Sequence, residues 1–251
     1  MRDEIVLGPR LVTRVHHDLC RMAEFLFLAV VLVLAAVPAW SAEPYRTEPA
    51  ELRAGEALPR ALADKLDPEG LRLVTESNGL KMEICELFWA KAVTGQEHQP
   101  GPKAHYGDFA TGALVGVIRY LPGASEDFRE DNHDQKLKPG YYVMRYASLP
   151  EEENEDVVLL SPASADGEAG QTLALDELKR RSRLASGTRE PAILSLAPAE
   201  SGKEESPLLR MDDQGTCIVQ VKLHVKPGTG PARDVGFAML VVTPGKEEGG
   251  S

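Results

Sequence analysis

The longest run of side chains that could hold a metal ion is the acidic segment 126–134, which contains Asp127, Asp131 and Asp134. Carboxylate oxygens are ligands that Ca²⁺ prefers, so these three aspartates are the candidate ligands of a calcium site. The segment lacks the Asp-x-Asp-x-Asp-Gly spacing of a calcium-binding loop, and Arg129 interrupts its acidic run. The alternative, which we favour, is a solvated charged loop, and no other cofactor is indicated.

Transition-metal sites leave no pattern in the sequence, which has no His-Glu-x-x-His and no Cys-x-x-Cys. A blue-copper site needs a cysteine and a histidine that converge on one metal ion. Cys217 and His224 share one apolar run, but their odd spacing places them on opposite faces of a strand. The sequence therefore favours no copper centre.

Catalytic serines and acids are equally hard to find. The chain has no Gly-x-Ser-x-Gly and no Ser-x-x-Lys motif, so we assign no catalytic residue. A hydrolase of envelope polymers is a rival hypothesis, because catalytic carboxylates are assembled in space and need no local motif. Two carboxylates facing each other across a cleft would favour that rival. The candidates are Glu83, Glu86, Asp108 and Asp127.

Tyrosines form the first candidate binding surface. Tyr142 and Tyr146 have the same parity in one predicted strand, so their rings share a face of the sheet. An exposed face of this kind could stack on a sugar ring or bind a peptide. A buried face would be ordinary core, which we favour because aromatic rings fill such cores readily.

Basic residues form the second candidate surface, on a predicted helix over residues 173–186. Arg180 and Arg183 are the candidate ligand-binding residues, for an anionic polymer or an acidic protein patch. The alternative, which we favour, is compensation of the helix dipole, since cations are preferred near a helix C-terminus. Asp176 and Glu177 in the first turn and Gly187 after the last turn fit the same helix.

The composition limits the partners. The chain of 251 residues carries a formal charge of −11, so we expect no binding to nucleic acid. Export is indicated by the apolar run 25–37, which follows Arg14 and Arg21 and precedes Pro38 and small residues. The run is shorter than the ~20 residues that cross a bilayer.

We therefore expect residues 1–42 to be a cleaved export signal with its upstream segment, leaving no stable membrane span. An uncleaved anchor is the alternative. The protein would be periplasmic or secreted, an oxidising compartment in which Cys85 and Cys217 could form one disulfide. Two buried free thiols are an equally good interpretation of this pair.

Short apolar runs between turns must position these residues. In the segment 216–226, Cys217, Val219, Val221 and Leu223 alternate with more polar residues, as in a strand with one buried face. Frequent short strands favour an antiparallel β-sandwich of about nine strands with one crossover or edge helix. The expected strands are 71–75, 81–93, 113–121, 141–149, 157–160, 192–196, 208–211, 216–226 and 235–243.

The predicted domain organisation follows from these runs. Residues 43–70 form an extended leader with one short helical turn near residues 57–66. Residues 71–244 form the β-sandwich domain, and residues 245–251 form a disordered tail.

Four stretches resemble an uncharacterised family of exported bacterial β-sandwich proteins. They lie between Leu71 and Leu196, and the Lys138-Pro-Gly-Tyr turn leading into a strand is the strongest of the shared elements. The resemblance implies the scaffold and the compartment; the family has no assigned activity, so it implies no site residue. The stretches are Gly112–Ile118, Leu137–Tyr146, Val157–Ala163 and Pro191–Leu196.

The working hypothesis is a non-enzymatic envelope or secreted binding or structural module, with an envelope polymer or protein as partner. The hydrolase and a calcium-stabilised module built on residues 126–134 are the alternatives.

Overall fold

The protein is described here from a computed structural model. The model describes residues 45–53, 55, 57–77, 79–96, 105–124, 135–150, 155–166, 171–200, 206–213 and 215–242. The expected export signal, the acidic segment 126–134 and the expected C-terminal tail lie outside these residues. Within them, no helix is both long enough and apolar enough to cross a membrane.

The described residues form mainly β-strands. The strands are β1 (Tyr45–Glu51), β2 (Glu69–Ser77), β3 (Leu80–Trp89), β4 (Val93–Thr94), β5 (Leu114–Tyr120), β6 (Gly140–Leu149), β7 (Glu155–Pro162), β8 (Ile193–Ala197), β9 (Leu208–Met211), β10 (Cys217–Lys226) and β11 (Arg233–Val242). The α-helices are α1 (Arg60–Ala63) and α2 (Leu175–Ser186), and a 3₁₀ turn covers Ala163–Ala165. The predicted mainly β, antiparallel fold is confirmed.

One sheet holds all eleven described strands, in the order β1-β2-β3-β5-β6-β7-β8-β11-β10-β4, with β9 also paired to β10. The pairs are antiparallel except β4 with β10. The sheet curls until β1 contacts β9, so it is nearly closed and barrel-like, and one curled sheet supplies both layers of the core. We call the line between β1 and the β9–β10 edge the seam.

The alternation in β10 explains how the sheet encloses its core. The predicted inward set from Cys217 to Val225 is buried, and Lys222, His224 and Lys226 on the other face are exposed. Ile218 and Gln220 are exceptions because the chain after β8 covers them. The Gln220 side chain accepts from the Glu200 N–H at 2.8 Å and donates to the Glu200 carbonyl at 3.1 Å.

Aromatic rings fill the core between the segment 105–113 and the sheet. Phe109 stacks on Phe237 with ring centroids 5.7 Å apart, and Tyr106 lies 5.1 Å from the same ring. The Asp156 carboxylate accepts from the Tyr146 hydroxyl and from the Tyr106 N–H, both at 2.6 Å. Since buried polar groups need partners, this network fixes the segment in place.

Helix α2 packs on the outer side of β7, and a buried ion pair fastens the chain that leads to it. Arg145 is 1% exposed and Asp166 is fully buried in the side chain, and their closest atoms are 2.7 Å apart. The same guanidinium donates to the carbonyls of Gly112 at 2.7 Å and Gln171 at 2.8 Å. Leu178 is the apolar anchor of the helix, and Gly187 ends it in a left-handed conformation as predicted.

The N-terminal boundary of the domain requires a correction. The sequence places residues 43–70 in an extended leader, but β1 pairs with β2 along its whole length and Leu62 of α1 is fully buried. The short helical turn predicted near residues 57–66 is α1. The folded domain therefore begins before Leu71, and β1 is the strand that forms one side of the seam.

Candidate functional site

A groove opens where the sheet fails to close. Two cavities, of about 510 and 370 Å³, share Glu69, Gly70, Leu71 and Pro207 in their walls. The first follows β1 from Thr47 to Glu51, and the second reaches β10. We call this continuous depression the seam groove; its further lining residues include Asp67, Trp89, Lys91, Val221, Lys222, Leu223, His224 and Asp234.

The start of β2 forms the floor shared by the two cavities. Gly70 allows β2 to lie against β3, because a Cβ at this position would be 2.3 Å from the Leu87 carbonyl oxygen and 2.5 Å from the Phe88 ring. Glu69, just before it, is exposed, and Leu71, just after it, is buried. The floor of the groove is therefore apolar while its rim is charged.

The opposite wall is the edge of β10 between its two short partners. β9 pairs with Cys217–Gln220, and β4 pairs with Val225 and Lys226. Between these pairs, the Lys222 N–H donates to the Ser206 hydroxyl at 3.2 Å instead of to a strand. The groove lies against this interruption.

Carboxylates on the outer face of β1–β3 are mostly matched by cations. Glu48 lies 2.6 Å from the Lys81 ammonium, and this hydrogen bond lowers the pKa of Glu48. Glu86 accepts from Arg72 at 2.7 Å and from Arg119 at 2.9 Å. These cross-strand pairs form a charge-balanced surface.

Glu51 and Glu69 differ from these carboxylates because they face each other and not a cation. They are directly opposite each other in the β1–β2 register, and both are exposed in the groove. In the described part of the chain neither carboxylate has a basic side chain within ion-pair distance. Like charges directly opposite each other in a sheet are destabilising, so the part of the groove along β1 carries uncompensated negative charge.

The outer edge of β1 also offers backbone groups to the groove. The Leu52 N–H donates to the Pro68 carbonyl at 2.8 Å, so backbone groups of even-numbered residues in β1 point towards β2. Those of Thr47, Pro49 and Glu51 therefore point away from β2. No strand among the described residues pairs with this side of β1. Pro49 has no N–H, and pairing with β2 requires none at this position because its backbone groups point away from β2.

The tyrosine face predicted as a candidate binding surface is buried. Tyr146 is inaccessible and Tyr142 is nearly so. The Tyr142 hydroxyl donates to the Lys138 carbonyl at 2.8 Å. Burial and the nearby Asp156 carboxylate raise the pKa of Tyr146 far above its usual value. These rings form core contacts, the interpretation that the sequence favours, and are not available to stack on a ligand.

The basic helix face is exposed but partly neutralised. Arg180 makes a bidentate ion pair with Glu177 at 2.7 Å, and hydrogen bonds from Arg180 and then Arg181 lower the pKa of Glu177 to about 2. The Arg183 guanidinium donates to the Arg189 carbonyl at 2.8 Å, close to the end of α2. These contacts agree with charge compensation at the helix terminus.

The candidate catalytic carboxylates do not face each other across a described cavity. Glu83 and Glu86 both bind Arg72, and Asp108 forms an ion pair with Arg233. Asp127 lies outside the described residues. The candidate calcium ligands Asp127, Asp131 and Asp134 lie there too. Among the described residues, no group of three or more metal-ligating side chains comes together.

Cys85 and Cys217 are buried free thiols inside the curled sheet. Burial raises the pKa of the Cys85 thiol, and the nearby Cys217 adds to the effect. They lie on β3 and β10, and the structure holds them as two thiols, one of the two predicted interpretations of the pair.

The groove residues are those that analysis of the sequence missed. Glu51 and Glu69 lie in the segment assigned to a leader, and their opposition depends on a strand pairing that local periodicity does not reveal. The only available signal was two glutamates flanking a turn-rich segment. Comparison of the chain with models of protein families, with curated proteins and with solved structures finds no match.

Proposed function

We propose that the protein is an exported, non-enzymatic binding module whose ligand site is the seam groove. The observation that carries this proposal is the opposition of Glu51 and Glu69 without a cation beside an apolar floor. Natural sheets usually match charges across strands, as β1–β3 do elsewhere in this protein. A charge mismatch retained at a cavity is typical of a surface that a ligand completes.

Support for a non-enzymatic role comes from the carboxylates considered as catalytic acids. Glu86 is held between two arginines and Asp108 is engaged by Arg233. An acid held in this way is poorly placed to donate a proton to a substrate. Support for export comes from the apolar run 25–37 and the small residues after it. A periplasmic or secreted location follows from that signal.

Exchanging the charges of Glu69 and Lys222 within the groove tests the proposal. The variant E69K/K222E changes two groove residues and keeps the net charge. The matched control D213K/R60E makes the same exchange at exposed positions outside the groove. Calorimetric titration of each purified protein with muropeptides, a neutral oligosaccharide and a basic peptide should reveal a ligand whose affinity falls about tenfold, about 1.4 kcal/mol, in the first variant alone.

Two results would contradict the proposal. One is a ligand set that binds both variants as well as it binds the wild type. The other is turnover of any of these polymers that a single carboxylate substitution abolishes, because that result would identify an enzyme.

A further inference from the structure

We infer that the ligand of the seam groove is an extended, basic peptide segment of a partner protein, which pairs as an additional strand with the outer edge of β1. This inference rests on the proposed function and specifies the ligand. It is carried by the open β1 edge, the cavity along that edge and the charge of the rim.

The backbone of β1 supplies the hydrogen bonds for such a strand. Thr47 and Glu51 present their N–H and carbonyl groups away from β2, and Pro49 presents a carbonyl. The cavity of about 510 Å³ is lined by the continuous stretch 47–51, so it follows this edge and not the face of the sheet alone. Strand addition to an open sheet edge derives its affinity from such main-chain hydrogen bonds.

The two ends of β1 differ in what they contact. Tyr45 at the start of β1 packs against the core, and β1 contacts β9. Towards Glu51 the wall opposite β1 consists of Pro207, which precedes β9. An added strand can therefore enter where β9 has not yet begun.

The rim selects the charge of the peptide. Glu51 and Glu69 oppose each other in the first cavity, whose described lining holds no basic side chain. In the second cavity Lys91, Lys222 and His224 lie beside acidic residues, so the acidic stretch is the one along β1. A lysine or arginine placed between the two glutamates would replace a repulsive pair with two attractive ones. The apolar floor, with Leu71 and Trp89, accepts the side chains that alternate with these cations.

A second copy of this chain fits the edge poorly. In a pair of β1 edges, Pro49 of both copies lacks the N–H at the centre of the edge, so hydrogen bonds are lost from both sides. Proline and charge on an edge strand are devices against pairing between identical edges. A basic peptide has no such proline, and its charge is opposite to that of Glu51 on the edge.

The test uses the purified protein and a labelled, blocked peptide of sequence Lys-Val-Lys-Thr-Lys-Val-Lys. The same peptide with glutamate in place of each lysine is the charge control. We expect the basic peptide to bind in an anisotropy titration and to slow amide hydrogen exchange at Thr47 and Glu51. Affinity should fall at least about tenfold in E69K/K222E and stay unchanged in D213K/R60E.

Backbone pairing is tested at Thr47. Thr47→Pro removes one outward N–H, and Thr47→Val keeps it with a similar shape, so only the first should weaken binding. If Thr47→Pro does not fold, slowed exchange at Thr47 and Glu51 in the wild type still decides between strand addition and surface attraction.

Three outcomes would overturn the inference. Binding of the basic peptide without slowed exchange would indicate general attraction to an acidic protein. Slowed exchange that grows with protein concentration alone would assign the edge to a second copy. A muropeptide or oligosaccharide that depends on Glu69 and Lys222 while the peptide does not bind would leave the proposed function standing and exclude this ligand class.

Discussion

The sheet beneath α2 and the sheet along the seam differ in whether their charged side chains are compensated. Under α2, Arg145 and Asp166 are buried, and the guanidinium is shared among one carboxylate and two carbonyls. At the seam, Glu51 and Glu69 oppose each other in solvent with no described cation beside them. A buried charge must be compensated for the fold to exist, whereas an exposed mismatch costs little and can persist where a ligand uses it.

The largest effect should follow from breaking the buried pair. Asp166→Ala leaves Arg145 charged in the interior without its carboxylate, and we expect the free energy of unfolding to fall by about 3–5 kcal/mol. Urea denaturation measures this loss. Asp213→Ala, at an exposed aspartate, is the control and should change stability little. A loss at Asp166 no larger than that of the control would show that the pair does not hold the α2 side.

An intermediate effect is expected in the buried tyrosine network. The Tyr106 hydroxyl donates to the Ala197 carbonyl at 2.6 Å and accepts from the Ala238 N–H at 2.9 Å. Tyr106→Phe leaves both backbone groups without this partner, so stability at neutral pH should fall by about 1–3 kcal/mol. Urea denaturation of both proteins at pH 7 provides the reference.

The raised pKa of Tyr106 also predicts that the stability of the fold depends on pH in the alkaline range. Burial raises the pKa of Tyr106 to about 12, from an unfolded value of about 10. The neutral hydroxyl therefore stabilises the fold fully below pH 10, and this contribution is lost as pH rises from 10 to 12. The stability difference between wild type and Tyr106→Phe should shrink over that range; a constant difference would contradict the assignment.

The smallest effect has the opposite sign and lies at the seam. Glu69→Lys turns a repulsive cross-strand pair into an attractive one, so the free energy of unfolding should rise by about 0.5 kcal/mol. Lys81→Glu is the mirror experiment on the balanced surface, since it places a third negative charge beside Glu48 and Glu83 and should destabilise. Salt should reduce both changes. A destabilised Glu69→Lys would argue that the groove is not electrostatically strained.

Local periodicity was sufficient to locate most strands. The alternation from Cys217 to Val225 predicted the inward side chains of β10 but not the burial of Ile218 and Gln220 on its other face. The acidic start and glycine end predicted α2. Both patterns report on one element and its exposure, which is information that neighbouring residues carry.

Local periodicity was insufficient for β1 and for the seam. Arg46, Glu48 and Pro49 make β1 look like a leader, because an edge strand carries charge and proline where a central strand carries apolar residues. The opposition of Glu51 and Glu69 arises only after two strands pair. The carboxylate that meets Arg145 is likewise far from it in sequence, so no local pattern predicts that ion pair.

The three partners of β10 have a consequence for how the chain folds. β11 follows it directly, but β4 reaches it by pairing Val93 with Val225, a contact between residues far apart in sequence. Closing so long a loop before any contact offsets its entropy is slow. Hairpins such as β2–β3 and β6–β7 can form while the chain is still incomplete, whereas the interior they cover stays accessible until the last two long strands arrive. Assembly of the core therefore requires the β10–β11 hairpin, whose pairing with β8, β9 and β4 completes the sheet.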